Sequence, residues 1–112
     1  MPNQMAHLNL VFQALADPTR RAVVERLSRG PTATTELAQP FKMALPSFLQ
    51  HLDVLQKCGL VQSRKSGRVR TYELAPNTLK EAEDWLSAQR SLWERRLDQL
   101  GSFLEDLKEQ SE

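Results

Sequence analysis

Residues 44–74, ALPSFLQHLDVLQKCGLVQSRKSGRVRTYEL, carry two kinds of periodicity in succession. Leu45, Phe48, Leu52 and Leu55 recur at helical spacing, and Cys58-Gly59 stops the run, glycine being the usual residue just past a helix end. One amphipathic helix is therefore expected over 44–58. After Leu60-Val61 come the basic segment Arg64-Lys65-Ser66-Gly67-Arg68 and then Val69 to Leu74, where Tyr72 and Leu74 alternate with polar neighbours. This second part reads as a β-hairpin over 61–74 with a four-residue charged tip. Such a helix fits the major groove of double-stranded DNA while Arg and Lys on the ribbon reach the adjacent phosphates.

Upstream, Leu8, Val11, Phe12 and Leu15 fall at i, i+3, i+4 and i+7, giving a first helix that ends at Ala16. Asp17-Pro18 signals a new helix start, since Asp caps free N–H groups and Pro is tolerated in the first turn. That second helix runs to about Arg29, with Ala22, Val23, Val24 and Leu27 inward, and Gly30-Pro31 terminates it. Thr34 is positioned to cap a short third helix containing Glu36, Leu37 and Ala38, which Pro40 closes. Phe41, Lys42 and Met43 then make a turn into the helix that carries Pro46 in its first turn. Short helix, tight turn, longer helix and hairpin make a winged helix-turn-helix: a mainly α fold with a small β-hairpin wing, of α+β class.

Downstream, Asn77 is expected to cap a last helix over 77–110 with Gly101 as its only interior breaker. Leu79, Leu86, Trp93, Leu100 and Leu107 are spaced by seven, with Leu97 and Leu104 beside them. A helix of about thirty residues rises roughly 45 Å, more than a domain of this size covers with its own core. The stripe calls for a second chain, and the simplest closure is a two-fold homodimer in which the first and last helices, with Leu8, Val11 and Phe12 on the first, pack against their mates.

With 112 residues, 40% of them hydrophobic, the chain suits a single domain spanning 1–112. No positive segment followed by an apolar run opens it, and no window approaches a membrane span, so no membrane insertion and a cytoplasmic location are expected. One cysteine, Cys58, excludes an internal disulfide framework and a multi-cysteine zinc site within one chain. The net charge of +1 divides unevenly: residues 1–75 hold ten basic side chains against five acids, and residues 76–112 hold five against nine. The basic part has a composition that faces a polyanion. There is no Gly-rich phosphate loop, nucleophile elbow or His–acid pairing at a recognisable spacing, so neither an enzyme nor a cofactor site is expected.

Ala44, Ser47 and Gln50 lie opposite the apolar side of the 44–58 helix near its N-terminal end, where helix-turn-helix proteins touch base edges. Gln suits adenine through two hydrogen bonds, and Ser serves a base or a phosphate. His51 fits either a phosphate or base contact or a structural bond to a backbone carbonyl, and the sequence leaves both open. Lys42, Arg64, Lys65, Arg68 and Arg70 are the phosphate candidates, although Arg70 shares parity with Tyr72 and Leu74. Cys58 reads as a small apolar plug, with a redox switch as the alternative. Trp85, Trp93 and Phe103 read as dimer-core aromatics, with a small-molecule pocket as the alternative.

The motifs ALADPTRR at 14–21, HLxxLxxxGLV at 51–61 and GRxxxYxL at 67–74 resemble those of the ArsR type of bacterial winged-helix repressors, over about three quarters of the chain. The tail looks like the extended C-terminal helix of a subgroup within that family. The resemblance implies a homodimer that binds an inverted-repeat operator and represses transcription, often of its own operon, and it places Arg20 and Arg21 near the DNA side. Both arginines sit against the dipole of the helix they begin, so they are not expected to serve helix stability. Metal-sensing members carry Cys-x-Cys on the third helix or Asp and His ligands on the last. Here the third-helix stretch is TTELAQPF, and residues 76–112 contain neither Cys nor His, so no metal site is expected. The alternatives are a winged-helix protein-interaction module, and a sensor of a ligand or of redox state; release by an inducer or by a protein anti-repressor fits either.

Overall fold

The computed structural model describes residues 4–111. The elements in order are α1 (Gln4–Leu15), α2 (Pro18–Leu27), β1 (Thr32–Ala33), α3 (Thr34–Ala38), α4 (Leu45–Lys57), β2 (Val61–Ser66), β3 (Val69–Leu74) and α5 (Pro76–Gln110). They form a winged helix-turn-helix in which α3 and α4 are the helix pair and the three strands make an antiparallel sheet ordered β1-β3-β2. Thr32 lies opposite Tyr72, and the β2–β3 register runs from Val61 opposite Leu74 to Ser66 opposite Val69.

Local chemistry accounts for the junctions. Asp17 caps α2 as expected, accepting a hydrogen bond from the backbone N–H of Arg20 at 3.0 Å, with Pro18 in the first turn. α4 ends in a Schellman motif: the Leu60 N–H reaches the Leu55 carbonyl at 3.0 Å and the Gly59 N–H reaches that of Gln56 at 3.0 Å. Gly59 supplies the left-handed residue that this ending demands, at φ +84°. Leu55 and Leu60, paired by the motif, are both fully buried.

The chain divides into two compact units, one reaching to Ala82 and one from Glu83 onward. The core lies in the first. Val11, Ala14, Val23, Leu27, Leu37, Phe48, Leu52, Leu55, Leu60, Val61 and Tyr72 are buried together, and Phe12, Leu74 and Leu79 pack at its margin. The second unit is helical, and its large apolar side chains are exposed.

Several expectations need correction. Val11, assigned to a dimer surface, is 0% exposed and belongs to the chain's own core, where it is buried with Ala14 of the same helix. Leu45, grouped with the inward stripe, is 52% exposed, because the first helical turn lies past the edge of the core. Thr34 does not cap α3. Ala33 holds the cap position, and the Thr34 hydroxyl donates to the Arg70 carbonyl at 3.0 Å. Asn77 lies inside α5, which begins at Pro76 and continues through Gly101. α2 stops at Leu27, two residues short of Arg29. The hairpin turn is tighter than a four-residue tip: only Gly67 and Arg68 separate the strands, with positive φ (+62°) at the first alone, as in a type II′ turn. β1 had no counterpart in the sequence reading.

Candidate nucleic-acid interface

α4 is held by burial of Phe48, Leu52 and Leu55, each at 1% exposure or less. That anchoring turns Ser47 and Gln50 outward, and both are exposed, as are Lys42 and Ala44 just before the helix. The N-cap residue of α4 is Ala44, whose side chain makes no capping hydrogen bond, so the positive end of the helix is available to an acceptor. Leu49, 40% exposed beside Gln50, joins this face together with Leu45. Exposed apolar side chains here suit a thymine methyl. Leu49 escaped the sequence reading because a leucine one position off the stripe looks like its fringe.

The wing cations fall into two groups. Arg64 lies 3.9 Å from the Glu73 carboxylate, which also accepts a hydrogen bond from Gln62 at 3.0 Å. Arg70 donates to the Ser63 hydroxyl at 2.8 Å across the ladder. Its guanidinium is thus tied along the sheet surface, and it is Tyr72 that turns inward, where burial pushes its phenol pKa up. Lys65 and Arg68 are exposed at and beside the turn, and among the described residues neither meets a carboxylate. They are the cations left for a partner.

Asp17, Arg20, Arg21 and His51 form one cluster behind α4. Arg20 donates from Nε to the Ala14 carbonyl at 2.7 Å and from its other nitrogens to the Gln13 carbonyl and His51 Nδ1, each at 3.2 Å. Arg21 donates to the Leu15 carbonyl at 2.8 Å. Both arginines therefore satisfy the carbonyl end of α1, which corrects the expectation that they serve no helix: they oppose the dipole of α2 but complement that of α1. Asp17 completes the cluster, with its carboxylate 3.8 Å from His51 Nδ1. Its pKa is lowered, chiefly because the ionised form accepts the Arg20 backbone N–H. Of the two readings of His51, the bond to a backbone carbonyl is replaced by a side-chain partner, Arg20, at Nδ1.

A helix-turn-helix domain model matches residues 15–64, the span from the end of α1 into the wing. The chain is similar to the HTH-type transcriptional regulator Rv2034 of Mycobacterium tuberculosis, with 50% identity over 68 residues, covering 61% of this chain and 64% of that protein, so the match spans just under two thirds of the relative's length. It is similar at 29% identity to the transcriptional repressor SdpR of Bacillus subtilis, covering 70% of this chain and 88% of that one. A crystal structure of an ArsR family transcriptional regulator, RHA00566, superposes with a TM-score of 0.77 at 51% identity, covering 84% of this chain and 97% of the other. The chain belongs to the ArsR family.

In this ArsR-family chain the soft donor atoms are already engaged. Cys58 is 2% exposed, its thiol donates to the Leu55 carbonyl at 3.3 Å, and burial raises its pKa, so it fills the core at the end of α4. His7 bonds the Cys58 carbonyl through Nε2 at 2.9 Å and lies 3.1 Å from Glu81 through Nδ1, joining α1, α4 and the start of α5. Among the described residues no three His, Cys, Asp or Glu side chains are grouped to hold a metal ion, and no helix is long and apolar enough to cross a membrane.

Proposed function

We propose that this ArsR-family chain is a homodimeric, sequence-specific DNA-binding repressor of a near-palindromic operator, acting in the cytoplasm where its DNA lies. The observation that carries the reading is the pairing of an exposed, uncapped α4 face with a wing whose Lys65 and Arg68 have no carboxylate partner among the described residues. Gln50 and Ser47 read base edges, with Leu45 and Leu49 against thymine methyls, while Lys42, Lys65 and Arg68 bind phosphates. Two such helices related by a two-fold axis enter successive major grooves about 34 Å apart. The exposed apolar side chains of α5, from Leu86 to Leu107, supply the dimer surface, and the half-buried Leu8, Phe12 and Leu79 of the first unit also meet the partner. Release by an inducer or an anti-repressor protein fits the same architecture.

The test is binding to DNA upstream of the chain's own gene by fluorescence anisotropy, at two salt concentrations with unrelated duplex as competitor. Tight, salt-sensitive and competitor-resistant binding is expected. Binding that the competitor removes at equal concentration would leave the winged helix to a protein partner.

A further inference from the structure

Between α1 and α4 lies an open groove of about 270 Å³, lined by Leu10 and Gln13 of α1, Arg20 of α2, and Val54, Lys57 and Cys58 at the end of α4. Leu10 is 51% exposed and Val54 38%, so two apolar side chains on facing helices are left to water. Leu10 and Gln13 occupy the flank of α1 turned away from Leu8 and Phe12, with Val11 and Ala14 buried between the two flanks. The groove is thus not on the side of α1 read as a dimer surface.

Its charges are unevenly matched. No acid is among the six lining residues, and Lys57 Nζ lies 2.8 Å from the Asp53 carboxylate beside it. The Arg20 guanidinium meets the Ala14 and Gln13 carbonyls and His51 Nδ1, none of which is an anion. Asp17 is engaged elsewhere, with the Arg20 backbone N–H and with His51. A guanidinium has five N–H groups in one plane. The three contacts leave one on each terminal nitrogen, and the exposed Gln13 amide is a further donor. Such a fork suits a carboxylate, and the apolar walls suit a hydrocarbon body attached to it. The space is nearly twice the roughly 150 Å³ that holds a benzene, which corresponds to about ten to twelve non-hydrogen atoms.

We propose that this groove is a binding site for a small organic monocarboxylate, its apolar body between Leu10 and Val54 against Cys58 and its carboxylate on Arg20 and the Gln13 amide. Val54 follows Ser47 by two turns on the same side of α4, and Arg20 also holds His51 of that helix. A bound carboxylate brings negative charge to this side of α4 and draws Arg20 from His51, so the occupied groove lowers operator affinity. That consequence rests on the repressor reading above; the site itself does not.

The isotope-labelled full chain is titrated with phenylbutyrate and with phenylbutanol, which has the same body without the charge, and its amide resonances are followed. Saturable shifts are expected at Leu10, Gln13, Val54 and Lys57, with the acid bound about ten-fold more tightly than the alcohol. Val54→Trp fills the groove from an exposed position and is expected to weaken the acid about ten-fold while the unfolding transition is kept. Gln13→Glu sets a carboxylate beside Arg20 and should weaken the acid but not the alcohol. Equal affinity for acid and alcohol, shifts confined to α5, no saturation at millimolar ligand, or undiminished binding by Val54→Trp would each overturn the site. In anisotropy titrations with the upstream DNA, saturating phenylbutyrate is expected to lower affinity several-fold for the parent and not for Val54→Trp. Unchanged DNA affinity with the ligand bound would overturn the link to release. Ligand binding by a protein that does not bind the DNA would support the site and remove the repressor reading.

Discussion

Arg68→Ala should change how binding depends on salt more than it changes which sequence is bound. Arg68 is the second residue of the two-residue turn, exposed, and among the described residues it has no carboxylate to hold it. If it neutralises one phosphate per protomer, a dimer loses two contacts on substitution. Each contact contributes about 0.9 to the slope of log affinity against log salt, so the slope falls by about 1.8. Between 50 and 200 mM salt that amounts to roughly a twelve-fold smaller loss of affinity for the variant than for the parent. Anisotropy titrations with operator and with unrelated duplex should show the same drop, since phosphate contacts carry no sequence information. Arg64→Ala should lower the slope less, because Glu73 at 3.9 Å already competes for that guanidinium. An unchanged slope for Arg68→Ala would remove the wing tip from the phosphate contacts, and a larger effect from Arg64→Ala would reverse the division between tied and untied cations.

Arg20→Ala is expected to lower stability to urea by about 2 kcal/mol through loss of charge-assisted bonds to the Ala14 and Gln13 carbonyls; a variant with unchanged stability but a reduced salt slope would instead make Arg20 a DNA ligand. Asp17→Ala should cost about 1 kcal/mol at neutral pH, as for other N-caps. Because folding lowers the Asp17 pKa, the parent's advantage is present above the ordinary carboxylate pKa and fades as pH falls below about 4, which unfolding curves of both proteins across pH will show. Gly59→Ala should destabilise by about 1–2 kcal/mol or more, since its φ of +84° is joined by a Cβ only 3.1 Å from the Thr78 hydroxyl, whereas Gly67→Ala, at φ +62° in open space, should cost less in the same melts.

α4 and the hairpin were legible because each writes a full period into neighbouring residues: Phe48, Leu52 and Leu55 at helical spacing, Tyr72 and Leu74 in alternation. Asp17-Pro18 was legible because a cap acts within one turn. β1 was not, since two residues carry no periodicity and Thr32-Ala33 become a strand only when Tyr72 and Thr71 arrive from forty positions away in the chain. Thr34 looked like a cap for the same reason: its hydroxyl has a local and a distant acceptor to choose between, and the distant Arg70 carbonyl wins. Arg20 and Arg21 were misjudged by considering only the helix that contains them, although guanidiniums reach back six or seven residues to the preceding one. Val11 was misplaced because a helix periodicity identifies an apolar side without stating whether its own chain or another covers it.

The two-residue strand β1 has a mechanical consequence. A hairpin joined to a protein only through its two ends swings at its base like a flap. Here the middle strand β3 is gripped on both edges, by β2 along six residue pairs and by β1 along two, and the Thr34 hydroxyl fastens the Arg70 carbonyl to the start of α3. The ribbon and the helix-turn-helix are in effect one casting. Its basic side chains are held at one pitch relative to the outer face of α4, so in the proposed dimer adjustment to DNA is expected to fall to the spacing and tilt between two such castings.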